Sequence, residues 1–180
     1  MSIVTLDPTT GGVDLGARLE LAPRPASLKG HVLGIVANGL GISEVMLDRI
    51  GELLCERDGL AGVVKVVKPS VAVPAWPEQW AEIVEHATVA VTGFGGCGSC
   101  STRSMRDALD LEALGIPSVT VGHVVLNPAV AAVARLVGAP AYTMVTIDYP
   151  HNPTAMWDKA EATAAAELVL DEVRQRLTAP

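Results

Sequence analysis

The chain is expected to fold as α/β: a three-layer domain with a five-stranded parallel sheet in the flavodoxin-like (Rossmann-like) order 2-1-3-4-5. Three observations predict it. Short apolar runs alternate with segments of helical periodicity from residue 31 to the end. The joining turns are short and rich in Gly and Pro. Aromatic residues are scarce (one Phe, two Tyr and three Trp), which leaves the core to Val, Leu, Ala and Ile, as suits strands covered on both faces.

In chain order, residues 1–27 carry Pro8, Gly11, Gly12, Pro23 and Pro25 with little periodicity. They are read as an extended N-terminal arm, laid over a partner subunit or loose in solution, and 28–180 as a single α/β domain. His31–Ala37 reads as the first strand, ending in Asn38-Gly39, with Ser43 placed to cap a helix that runs to Asp58. Val63–Val67 is the second strand, and Lys68 at its end reads as an exposed lysine. A helix follows from Pro77 to His86, then a third strand over Ala87–Val91 and a helix from Thr102 to Leu114. Strand four covers Ser118–Val121, a helix Pro128–Val137, strand five Tyr142–Ile147, and a last helix Thr154–Leu177. In the order 2-1-3-4-5, strands one and three are adjacent. The Asn38-Gly39 turn and the turn after strand three then flank one crevice at the switch point, where such sheets place ligands.

That second turn is the candidate site. Gly93-Phe94-Gly95-Gly96-Cys97-Gly98-Ser99-Cys100-Ser101 packs four glycines and two cysteines between a buried strand and a helix. Glycine lets a substrate approach the backbone closely. A cysteine at a helix start feels free N–H groups and the positive end of the dipole, which favour thiolate. Cys97 is therefore expected as the attacking thiolate and Cys100 as its resolving partner, with Gly95, Gly96, Gly98, Ser99 and Ser101 supplying amides and hydroxyls to the substrate. On the helix, Arg103 and Ser104 share the Cys100 face and join Asn38 and Gly39 as candidate binding residues, Arg103 for a carboxylate. His123 and His151, at the ends of strands four and five, are candidate catalytic acids or bases.

Two other readings of the turn are weaker. It matches G-x-G-x-x-G literally, but no acidic residue ends the next strand to hold a ribose. Its C-x-x-C has no second pair to complete a zinc site. No cofactor and no metal are expected, and an external thiol reductant is the implied co-reactant. A net charge of −7 and a pI near 5.0 argue against nucleic acid or an anionic membrane as partner. No apolar run reaches the roughly 18 residues of a membrane span, and the N-terminus lacks a basic-then-apolar signal. An odd number of cysteines, three, fits a reduced, cytoplasmic setting. Cys55, alone on an apolar helix, reads as packing.

The glycine and cysteine block, followed by Asp107–Glu112 and Gly115–Val121, resembles the UGSC family of selenocysteine/cysteine proteins, and Asn38-Gly39, Lys68-Pro69-Ser70 and Pro74 also match its pattern. The likeness covers about Leu28 to His151. It implies that Cys97, which stands where some members carry selenocysteine, is the reactive atom. Where many members carry a further Cys and a His, this chain has Arg103 and Arg106, so a third thiol and a helix-borne histidine are not implied. The expected activity is that of a thiol-dependent oxidoreductase acting on a small, anionic, electrophilic metabolite. The alternatives are a covalent-nucleophile lyase or hydrolase without net redox, and a non-catalytic ligand- or metal-binding subunit. A homodimer or a related partner subunit is the expected assembly.

Overall fold

A computed structural model describes residues 18–179. Strands β1 (Val32–Ala37), β2 (Gly62–Val67), β3 (Val89–Gly95), β4 (Ser118–His123) and β5 (Val145–Ile147) form one parallel sheet in the order β2-β1-β3-β4-β5. The expected α/β architecture and strand order are those observed. Helices α1 (Ser43–Asp58) and α5 (Lys159–Leu177) cover one face. Helices α2 (Pro77–His86), α3 (Gly98–Ala113) and α4 (Asn127–Leu136) cover the other.

The apolar spacing of each helix explains its placement. Met46, Leu47, Ile50, Leu53 and Leu54 of α1 meet Ala162, Ala166, Val169, Leu170 and Val173 of α5 over the central strands, and all are buried. Met105, Ala108 and Leu109 of α3 pack on Val130 and Ala134 of α4. Ile83 is the single buried side chain of α2. That helix is tied down instead by Gln79, whose amide donates to Val67 O at 2.7 Å while its Oε1 accepts from Trp76 N at 3.0 Å.

Several boundaries differ from the expected ones, each for a physical reason. Strand β3 runs on to Gly95, because glycines allow a close pass against β4: a Cβ on Gly95 would lie 3.2 Å from Gly122 Cα. The register shifts between Gly93 and Gly95, so the strand bends as it leaves the sheet. Helix α3 begins four residues earlier than expected, since Cys97 itself caps it. Helix α5 begins later, after Asp158, whose Oδ1 accepts from Glu161 N at 2.8 Å. Ser43 does not cap α1; it lies inside the first turn, buried, with no partner for its hydroxyl among the described residues. Lys68 is not an exposed strand-end lysine. Its side chain is fully buried, with Nζ 2.6 Å from Asp107 Oδ2.

Of the expected arm, residues 1–17 lie outside the described residues. Residues 18–27 are extended and run along the domain's own surface at the amino ends of the strands. Leu19 N donates to Gly138 O at 3.1 Å, and Ala179 N to Pro25 O at 2.8 Å. Arg24 reaches Glu112, whose side chain is sealed from solvent and also accepts from the amides of Ala22 and Ser118.

Candidate active site

Cys97 leaves β3 in an extended conformation (φ −141°, ψ 169°) and sits at the N-cap of α3. Its Sγ accepts from Cys100 N at 3.2 Å, and its carbonyl accepts from Ser101 N at 2.9 Å and Ser101 Oγ at 2.7 Å. The cap is thus a sulfur, placed where a side-chain oxygen ordinarily satisfies a first-turn amide. Cys97 and Cys100 are bonded to one another as a disulfide, with Cα atoms 5.1 Å apart. Cys97 is half-buried and Cys100 fully buried beneath it, while Gly98 and Ser99 between them are exposed. Ser99 Oγ lies 3.6 Å from Cys97 Sγ. The amides of Gly98 and Ser99 have no partner among the described residues, as the opening turn of a helix leaves them. Together with the dipole they make a small electropositive mouth around Cys97.

Two loops frame this mouth. At Gly96 a Cβ would run into Pro153 O and Leu40 Cδ2, so only glycine lets the turn thread between the segment after β1 and the segment after β5. The same two segments are joined by Ile42 N donating to Ala155 O at 3.1 Å. Asn38 does reach the segment leading into the Cys97 turn, as the strand order requires, whereas Gly39 lies nearest to Val67. Asn38 is buried, however, and wholly committed: Nδ2 donates to Phe94 O at 2.8 Å and Ser104 Oγ at 3.1 Å, and Oδ1 accepts from Phe94 N and Leu40 N at 3.1 Å each. Asn38 and the buried Ser104 therefore hold the turn in shape from behind. Ser101 and Gly95 are buried there too, and Gly39, Gly98 and Ser99 are the candidate binding residues that face solvent.

The histidines divide. His123 is fully buried. Val125 N donates to its Nδ1 at 3.3 Å, which fixes the proton on Nε2, and Nε2 donates to His151 O at 3.2 Å. The ring packs edge-on against Tyr149 at 4.9 Å. His123 is a brace for the loop after β5. His151 lies on that loop with its side chain 16% exposed, against Trp157, and its Nδ1 is 3.5 Å from Glu161 Oε1. Neither ring hydrogen-bonds to a cysteine among the described residues.

Arg103 points away from the turn. Its Nε donates to Asp107 Oδ1 at 2.9 Å and its Nη2 to Asp110 Oδ2 at 3.1 Å, both further along α3. Burial pushes the Lys68 amine below its ordinary value, against the pull of Asp107; burial likewise raises Asp107 against the pull of Lys68 and Arg103. Sequence reasoning missed the Lys68–Asp107 pair and the wall made by residues 148–157. The only sequence signal for the pair was a lysine directly after an apolar strand, which is as common on a solvated edge.

Among the described residues no group of three or more His, Cys, Asp or Glu is arranged to hold a metal ion. No helix among them is long and apolar enough to cross a membrane. A comparison with curated proteins finds no match. The family comparison does: residues 4–179, nearly the whole chain, match the UGSC family, and this protein therefore belongs to the UGSC family.

Proposed function

We propose that the protein is a cysteine-dependent enzyme in which a Cys97 thiolate attacks a small, anionic, electrophilic metabolite and Cys100 resolves the adduct. One observation carries the reading: Cys97 is the partly exposed sulfur at the N-cap of α3, bonded to a fully buried Cys100 and aimed at by a first-turn amide. In the reduced protein the first-turn amides stabilise charge on Cys97, while burial disfavours charge on Cys100, so attacker and resolver are distinct. The unpartnered amides of Gly98 and Ser99 favour a substrate that brings or develops negative charge.

For a substrate with a bond X–Y between electrophilic heteroatoms, the Cys97 thiolate forms a bond to X. Y departs with the electron pair of the broken bond and takes up a proton. The Cys100 thiol loses its proton and attacks Cys97 Sγ, and X departs with its electron pair and is protonated in turn. The dithiol is oxidised to the Cys97–Cys100 disulfide, and X–Y is reduced by two electrons. A low-molecular-weight dithiol or a protein dithiol then restores both thiols, becoming oxidised itself. The half-buried His151, on the loop beside Gly96, is the proposed proton carrier of the site, and His123 holds that loop.

Limited alkylation of the reduced protein with iodoacetamide, followed by peptide mass mapping, tests the assignment. Cys97 should be modified first and Cys100 and Cys55 slowly. Preferential modification of Cys100 or Cys55 would remove Cys97 as the nucleophile. With Cys100→Ser, a disulfide probe should remain trapped on Cys97 rather than being released.

A further inference from the structure

A hollow of about 280 Å³ opens between the start of α2 and α3. Pro74, Pro77 and Trp80 form its apolar walls, and Arg103, Asp107 and Asp110 its polar side. Cys97 does not line it. The charges of the cluster that includes its polar side are unevenly matched. Lys68, Arg103 and Arg106 converge on only two carboxylates, Asp107 and Asp110, through contacts of 2.6 to 3.1 Å. One positive charge is left over. Lys68 is fully buried, and its ammonium, which can donate three hydrogen bonds, makes one among the described residues. Arg103 commits Nε and Nη2, while Nη1 has no partner among the described residues.

From these observations we infer that the α2–α3 hollow is a binding site, distinct from the Cys97 turn, for a small carboxylate with a flat apolar body. Trp80 and the two prolines offer a rigid wall for a ring, which loses little freedom on contact. The free edge of the Arg103 guanidinium offers planar donors to the carboxylate, and its two aspartate partners hold the fork in place. Asp107 and Asp110, which also line the hollow, are each already paired with two cations, so the cluster as a whole keeps its surplus positive charge and selects against a cationic ligand. The volume suits a single ring with its head group and excludes a dinucleotide.

Isothermal titration calorimetry of the full chain with benzoate tests this. Saturable binding in the roughly millimolar range or tighter is expected for so small a ligand. Arg103→Gln should weaken it at least tenfold, and Arg135→Gln, at an exposed site on α4, less than twofold. Trp80→Leu keeps every charge of the cluster and should weaken binding at least threefold, which covers the case in which Arg103→Gln unfolds α3. Cys97→Ser should leave the affinity within twofold, so the result is independent of the chemistry proposed for Cys97. Absence of benzoate binding, equal binding by the folded Arg103→Gln protein, or binding of benzylamine in preference to benzoate would overturn the inference. Loss of binding in Cys97→Ser would overturn the claim that the two sites are distinct.

Discussion

Once the disulfide is reduced, helix α3 carries a group that can bear negative charge near each end, and the two are treated in opposite ways. At its head Cys97 accepts one amide at 3.2 Å, stays partly exposed and is flanked by further amides without partners. Near its tail Glu112 is sealed and saturated: Oε2 accepts from Ala22 N and Arg24 Nη1, and Oε1 from Arg24 Nη2 and Ser118 N, each at 2.7 Å. The dipole favours the anion at the head and opposes the one at the tail, so Glu112 depends on Arg24 and two amides to be held there at all. A donor set closed around an anion gives structure; a donor set left open gives a place for chemistry.

Four experiments would break or sharpen that contrast. The largest effect belongs to the open end. Cys97→Ser should remove the fast thiol labelling at the turn, leaving only the slow labelling of Cys100, and abolish any turnover, with the melting temperature of the reduced protein little changed; activity at the original level would make the head of α3 a merely structural cap. Next comes the closed end. Glu112→Ala strands Arg24 and two amides and should cost about 3–5 kcal/mol in urea unfolding, while leaving reduced Cys97 as reactive as before. A cost under about 1 kcal/mol would mean the network is not the anchor its distances suggest.

A third test uses pH. Lys68 is held below its ordinary 10.5 by burial, so between its folded and unfolded values the unfolded chain binds more protons, and stability rises with pH in that window. Lys68→Met removes this contribution. The stability of the natural protein relative to the variant should climb with pH on the approach to 10.5 and be flat beyond it. A falling difference would show that attraction to Asp107 outweighs burial. The smallest effect is expected at Arg106, which is half-exposed and pairs with Asp110 at 2.8 Å one turn away. Arg106→Gln should shift stability by no more than about 0.5 kcal/mol.

Much of the fold could be read directly. The alternation of apolar runs and amphipathic segments yields five parallel strands, and the absence of repeats points to the order that sets Asn38 beside the Cys97 turn. The four glycines and two cysteines singled out the turn as the candidate site, although Gly95 and Gly96 prove to be needed there for close packing and Cys100 is buried. What escaped was what the other elements bring to the turn. His123 ends its strand like any crevice histidine, yet Tyr149 and the His151 carbonyl close over it. Arg103 shares the Cys100 face by periodicity, yet its guanidinium turns down the helix to two aspartates. Lys68 and Glu112 find partners 39 and 88 residues away, distances at which no local pattern carries information.

The sequence by itself determined the strand order, the helix faces and the position of a thiol at the start of α3, because these follow from local periodicity and from backbone donors that every helix start leaves unpaired. Only the tertiary structure decided which sulfur is exposed, which histidine is sealed and where the surplus positive charge lies. Those depend on desolvation, and desolvation is set by whichever distant segment comes to rest on top.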